Sequence, residues 1–365
     1  MNKKGAYMRQ FTSKQDFCDW LNQYQHPLLI ENWASSAGIV SVKATGTFDI
    51  AIPFASKVLQ QSLSTWIATE QEQKNVAPFE YTVSCVVKSL ETEVPQSIKG
   101  IKNIIAVSSA KGGVGKSTTA VNLALSLATS GAKIGLLDAD IYGPSVPMMI
   151  GKVDAKPSVR DNKWMQPIEA FGIYTHSIGY LVDKNEAAIW RGPMASKALA
   201  QLLNETEWPE LDYLVIDMPP GTGDIQLTLS QQIPVTGAVI VTTPQDLALA
   251  DAQKGVAMFD KVHVPVVGVV ENMSYHICSQ CGAKEHIFGQ GGAAQMASEF
   301  GLSVLAQIPL HIDVRNDIDM GKPTVVSRPD SEHAQQYQLL ADRVACSLFW
   351  QGKVKPDAIN VMTIS

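Results

Sequence analysis

The chain has 365 residues, room for two or three domains at roughly 150 residues each. Hydrophobic residues make up 45% of it and charged residues 18%, the composition of a globular protein with a sizeable core. A net charge of −6 supplies no basic footprint for nucleic acid or an anionic membrane. No apolar run approaches the ~20 residues of a membrane span, and no apolar h-region follows the first lysines, so the expected location is cytoplasmic.

Residues 1–95 read as a small α+β domain. Phe17, Trp20, Leu21 and Tyr24 have helical spacing, Gly38–Val42 and Phe48–Phe54 read as strands, and 56–72 carries the apolar stripe Val58, Leu59, Leu63, Trp66 and Ile67. Tyr81, Val83, Cys85 and Val87 alternate as a third strand. The polar stretch Glu91–Gly100, with Pro95, reads as a connection, which puts a linker at 96–103. From 104 to 350 the apolar runs are short and continuous: Ile104–Val107, Ile134–Leu137, Tyr213–Ile216, Ala238–Val241 and Val266–Val270. Strands buried on both faces look like this, and helical segments alternate with them, so a mostly parallel sheet flanked by helices is expected, with ligands at the carboxyl ends of its strands. Residues 351–365 form a C-terminal tail.

The turn after Ile104–Val107 reads Ser108-Ser109-Ala110-Lys111-Gly112-Gly113-Val114-Gly115-Lys116-Ser117-Thr118 and leads into a helical pattern. Strand, glycine-rich turn and helix in that order make a phosphate cradle, so Ala110 through Thr118 are the expected nucleotide contacts. Gly112, Gly113 and Gly115 free the backbone N–H groups to face phosphate oxygens, Lys116 can reach the β- and γ-phosphates, and the Ser117 hydroxyl can sit on Mg²⁺. The usual pattern has glycine where Ala110 stands and does not ask for Lys111. That extra lysine marks a "deviant" P-loop, in which it characteristically reaches the nucleotide of a partner subunit.

Asp217 follows Tyr213–Ile216, where a carboxylate is placed to hold Mg²⁺ through water; Gly221, in the Pro219–Gly223 turn behind it, can offer its N–H to the γ-phosphate. Asp138 and Asp140 end the run Ile134–Leu137. Asp140 is expected to orient the attacking water, whereas Asp138 either joins the Mg²⁺ shell or hydrogen-bonds loop backbone. Asn272 either reads the adenine edge or caps a loop.

Of the five cysteines, Cys18, Cys85 and Cys346 fall in a helix, a strand and a helix and read as structural. An odd count argues against a disulfide framework. Cys278-Ser279-Gln280-Cys281 offers two thiolates to one metal centre, and no second pair exists in the chain. Three readings follow: a C₂ dimer whose two loops share an iron–sulfur cluster, a zinc site completed by His276 and His286, or an unmetallated or redox pair.

Together these blocks closely resemble the Mrp/ApbC family of P-loop iron–sulfur cluster carriers, in the superclass of MinD, ParA and the nitrogenase iron protein. The resemblance rests on Ala110–Ser117, Leu137–Ser145, Trp190-Arg191-Gly192-Pro193-Met194, Asp217–Asp224 and Glu271–Ser274 leading to Cys278 and Cys281, and covers about 100–350. It implies an ATP-hydrolysing homodimer that holds a labile 4Fe–4S cluster between subunits and passes it to apoproteins. It also implies Lys111 across the interface, Asp140 in switch I, Asp217 in switch II and Asn272 near the base. Residues 1–95 have the element order of a MIP18-like domain without its Asp-Pro-Glu and reactive-cysteine signatures, so no cluster ligand carries over to them. A MinD/ParA-like positioning or partitioning ATPase with a structural zinc is the competing reading; those proteins bind membrane or DNA through a C-terminal amphipathic helix or basic surface, and Asn360–Ser365 has neither. A zinc-stabilised metabolic P-loop enzyme is a third.

Overall fold

A computed structural model describes residues 8–182, 192–278 and 280–356. Trp190, Arg191 and the end of the tail, including Asn360–Ser365, lie outside the described residues.

The N-terminal unit contains α1 (Lys14–Leu21), β1 (Val40–Val42), β2 (Phe48–Ile52), α2 (Lys57–Glu72) and β3 (Tyr81–Cys85). Ser13 and Ser56 start the two helices by accepting from the N–H groups of Asp16 and Leu59, the capping role that a short hydroxyl performs best. β2 pairs antiparallel with β1 and parallel with β3, and the aromatic side chains close over the sheet: Phe17 stacks on Phe48 at 3.8 Å and Trp20 on Trp66 at 4.6 Å. Strand and helix bounds follow the apolar spacing closely; Cys18 and Cys346 are buried and Cys85 half-buried, as their structural reading requires.

The larger unit runs β4 (Ile101–Ser108), α3 (Lys116–Thr129), β5 (Ile134–Asp138), α4 (Val146–Met149), β6 (Val159–Arg160), β7 (Trp164–Met165), β8 (Ile168–Ala170), β9 (Ile173–Ser177), α5 (Gly192–Asn204), β10 (Leu211–Asp217), α6 (Asp224–Gln232) and β11 (Gly237–Thr242). It continues with α7 (Asp246–Lys261), β12 (Val266–Ile277), β13 (Lys284–Glu285), α8 (Gly292–Glu299), β14 (Val304–Leu310), α9 (Ile312–Asp319), α10 (Thr324–Ser327) and α11 (Glu332–Gln351). The sheet order is β13-β12-β11-β4-β10-β5-β9-β8, with β14 also on β12. Among the described residues of this sheet, only β8 and β13 pair antiparallel, each at an edge. β4 and β10 are neighbours in register, as are β10 and β5, so Val107, Asp217 and Asp138 stand side by side at the carboxyl ends.

The two units share one apolar cluster, in which Phe17, Leu21 and Phe54 of the first join α3 and α11 of the second. Trp350 donates its indole N–H to the Leu28 carbonyl, and Phe54 lies 6.1 Å from both Phe349 and Trp350. Fully burying one such side chain is worth ~1.5–3 kcal/mol, so the contact is a core and not a loose seam. Among the described residues no helix is long and apolar enough to cross a membrane.

Candidate functional site

The glycine turn bridges the end of β4 and the start of α3. Gly113 and Gly115 have φ of +84° and +83°, the left-handed region that an L side chain resists. Gly115 is constrained twice: a Cβ there would lie 2.1 Å from Asn272 Nδ2. That amide donates to the Val114 carbonyl at 2.8 Å, so Asn272 caps the loop from β12 while also lining the cavity beside it.

Lys116, only 6% exposed, sits at the first turn of α3. Its ammonium forms a short ion pair with Asp217 and stands 3.8 Å from Asp140 and 3.3 Å from the Ser117 hydroxyl. Asp217 is fully buried, and its Oδ2 has no hydrogen-bond partner among the described residues. An orphaned buried carboxylate oxygen beside a hydroxyl fits a hard divalent cation such as Mg²⁺, which takes oxygen ligands. Asp138 faces the loop: its carboxylate accepts from the Val146 N–H at 3.1 Å, the Ser177 hydroxyl at 3.0 Å and the Asp140 N–H at 3.2 Å. Burial, then the neighbouring Asp217 charge, lifts Asp138 to about 7. Burial also raises Asp140, against the pull of Lys116. Gly221 donates its N–H to the Ser109 carbonyl at 2.9 Å, so the turn behind Asp217 rests on the edge of the phosphate loop. Lys111 is exposed.

Sequence reasoning missed three contributors. Gln226 is buried and donates to both the Ser108 hydroxyl (2.8 Å) and the Pro219 carbonyl (2.6 Å), tying that turn to β4. Ser177 supports Asp138. A cavity of ≈ 250 Å³ opens beside Gly115 and Thr118, walled by Met273, Pro309, Leu310 and Tyr337. Pro309 and Leu310 end β14, and the rule that ligands gather at carboxyl ends of parallel strands points there once that strand is recognised.

Cys278 and Cys281 lie beyond the far end of β12, in the turn of the β12–β13 hairpin. Cys278 N–H donates to Ala283 and Gly282 N–H to the Cys278 carbonyl, closing the turn. The thiol of Cys281 is exposed, that of Cys278 partly so. Backbone N–H groups of Gln280, first, and of Cys281 hold the Cys278 thiol below its ordinary value, which favours the thiolate that metals bind. His276 and His286 turn instead to backbone, at 3.2 Å from the Leu310 carbonyl and 3.1 Å from that of Ser274. Among the described residues neither joins the two thiols in a metal-sized cluster.

A lysine held over two strand-end acids by a glycine turn, at the centre of a parallel sheet, defines a P-loop NTPase. Within that class the chain is more specific: residues 100–345 match the family model described as ParA, NUBPL iron-transfer P-loop NTPase, and the chain belongs to that family. It is 52% identical over 367 residues to the iron–sulfur cluster carrier protein of Salmonella typhimurium, covering 98% of this chain and 99% of that one. The mouse iron–sulfur cluster transfer protein NUBPL is 51% identical over 249 residues, 68% of this chain and 78% of its own length. Among solved structures, the Archaeoglobus fulgidus nucleotide-binding protein in complex with ADP superposes with a TM-score of 0.57 at 37% identity, covering 65% of this chain and 93% of that one. The Pyrococcus furiosus cell division ATPase MinD, at 0.50 and 22% identity, covers 66% of this chain and 98% of its own and shares the fold.

Proposed function

We propose that the protein is an iron–sulfur cluster carrier: a homodimer that holds a labile 4Fe–4S cluster between Cys278 and Cys281 of its two chains and hands it to apoproteins, with ATP bound and hydrolysed at the glycine loop. The thiol turn carries this reading. It presents two thiols at an exposed hairpin tip, one favoured as thiolate, with no further ligand from the same chain among the described residues. A cubane takes four thiolates, so a second copy of the turn completes the set. Cargo held across a two-fold axis leaves when the halves separate, which suits delivery better than storage. The names of the bacterial and mouse relatives, an iron–sulfur cluster carrier and an iron–sulfur cluster transfer protein, support the same reading.

Lys116 is neutralised by Asp217 and Asp140. Arriving phosphates compete for that ammonium, and its transfer to the β- and γ-oxygens frees both acids. Ser117 and Asp217 would hold Mg²⁺, which would supply charge neutralisation on the phosphates. Asp140 orients the attacking water, a role supported by its position 3.8 Å from the Lys116 ammonium. Gly221 exchanges the Ser109 carbonyl for the γ-phosphate, carrying the Pro219–Gly221 turn with it. Lys111 reaches the partner's nucleotide, and the adenine occupies the cavity between Met273 and Pro309. The test is delivery: cluster-loaded protein incubated anaerobically with an apo 4Fe–4S enzyme should restore its activity in the presence of a chelator that blocks rescue by free iron. Equal restoration by Cys278→Ala protein would contradict the assignment.

A further inference from the structure

One strand joins the two sites. β12 passes Asn272, on the phosphate loop, before it reaches Cys278, and its pairing with β14 breaks register between Asn272 and His276, where Met273 takes φ +55°. A strand with such a break cannot act as a stiff rod, so the position of the hairpin depends on what grips it beyond the break. Among the described residues, one grip comes from the wall of the base cavity and another from the start of α11, which packs against that wall. His276 bonds the carbonyl of Leu310, a cavity residue. The Tyr275 hydroxyl donates to Glu332 at 3.0 Å; Lys284, on the returning strand, stands 3.7 Å from the same carboxylate oxygen and 3.8 Å over the Tyr275 ring. Glu332 begins α11, and the next residue, His333, stacks at 4.6 Å on His311, which lines the cavity.

The group His311, Asp313 and His333 has the composition of a cation site, with ligand atoms within 4.8 Å of one another. It is already neutralised: Arg328 stands 3.2 Å from Asp313, and His311 Nδ1 accepts the Asp313 N–H. It therefore serves as a packed joint between α9 and α11.

We propose that Tyr275 and Glu332 are positioning residues that couple occupancy of the base cavity to the exposure of the Cys278–Cys281 turn. A base entering between Met273 and Pro309 presses on Leu310 and His311; the stacked His333 carries the displacement to Glu332, and Glu332 moves Tyr275 and Lys284, hence the hairpin. The proposal deepens the carrier reading, since it assumes that nucleotide binds in this cavity and that these thiols are the ligands.

The test uses the full-length apoprotein and needs no cluster. Iodoacetamide alkylation of Cys278 and Cys281 is timed by peptide mass spectrometry with and without Mg·ADP, with Cys18, Cys85 and Cys346 as internal references. Wild type should show a rate difference of about five-fold or more, the lower end of ordinary coupling between two sites. Tyr275→Phe and Glu332→Gln should each abolish most of that difference while binding Mg·ADP with wild-type affinity, a pattern that a merely structural role would not produce. Saturating nucleotide that leaves thiol rates unchanged in wild type would overturn the coupling. An undiminished difference in both variants would overturn the route. Absence of Mg·ADP binding to wild type would instead refute the nucleotide site itself, and failure of anaerobic reconstitution to place iron on these cysteines would refute the carrier reading while leaving the coupling measurement standing.

Discussion

Replacing Lys116 by alanine should do more than remove a phosphate ligand; it should destabilise the empty protein. The ammonium is the counter-charge of Asp217, a carboxylate with no solvent exposure, one oxygen unpartnered among the described residues and Asp138 beside it in register. Removing one member of a buried pair leaves an uncompensated charge and typically costs about 3–5 kcal/mol. With 365 residues and an unfolding entropy of roughly 2.1 cal/mol/K per residue, each kcal/mol lowers the melting temperature by about 1.3 °C, so a fall of about 4–6 °C is expected. Calorimetric melting of nucleotide-free protein at pH 7 reads the effect without any contribution from ligand. The double variant Lys116→Ala/Asp217→Asn should recover most of the loss, because the orphaned charge goes with the second change. A melting temperature for Lys116→Ala within about 2 °C of wild type would refute the view that this pair is buried and mutually neutralising.

Asp138 should give stability a pH dependence. Its folded value of about 7 exceeds the reference of 3.8, so the native state holds this proton more tightly; the stabilisation is complete below about pH 4 and is lost as the pH rises toward 7. Asp138→Asn should flatten that slope in urea melts, and an unchanged slope would contradict the assignment. Gly115→Ala should lower both melting temperature and nucleotide affinity, because alanine at φ +83° and displacement of the Asn272 amide from Val114 together cost about 2–4 kcal/mol; wild-type binding by calorimetry would count against the cap. Asp140→Ala should retain Mg·ATP binding and lose about a hundred-fold or more in phosphate release, the low end for a lost general base, and wild-type turnover would remove Asp140 from the chemistry.

The features legible in the sequence are those made by neighbours in sequence. The loop Ala110–Thr118 and the acids at the ends of β5 and β10 follow from strand-turn-helix order, whereas that Asp138 stands beside Asp217 depends on the strand order and register, which only the fold supplies. The Cys278/Cys281 pair is visible by spacing alone. Its N–H cradle is not, since that depends on the backbone of a turn containing Gly282 at φ +70°. The cavity beside Gly115 is unreadable for another reason: its wall is drawn from the glycine loop, β12, β14, α9 and α11, and no local pattern marks Pro309, Arg315 and Tyr337 as neighbours. β12 outruns the apolar run Val266–Val270 because the register break lets it leave the sheet and enter the hairpin. Asn272 shows the limit of residue-type reasoning: both a base contact and a loop cap use an amide, and only the fold puts Val114 within 2.8 Å of it.

The central claim is that two chains share one cluster through four thiolates. Iron and acid-labile sulfide, measured per chain after anaerobic reconstitution and sizing of the loaded protein, test it most directly. The account predicts two irons and two sulfides per chain, in a dimer, with loss of both in Cys278→Ala and in Cys281→Ala and retention when Cys18, Cys85 or Cys346 is replaced. Four irons on each chain, or one zinc per chain with no iron after anaerobic purification, would contradict it.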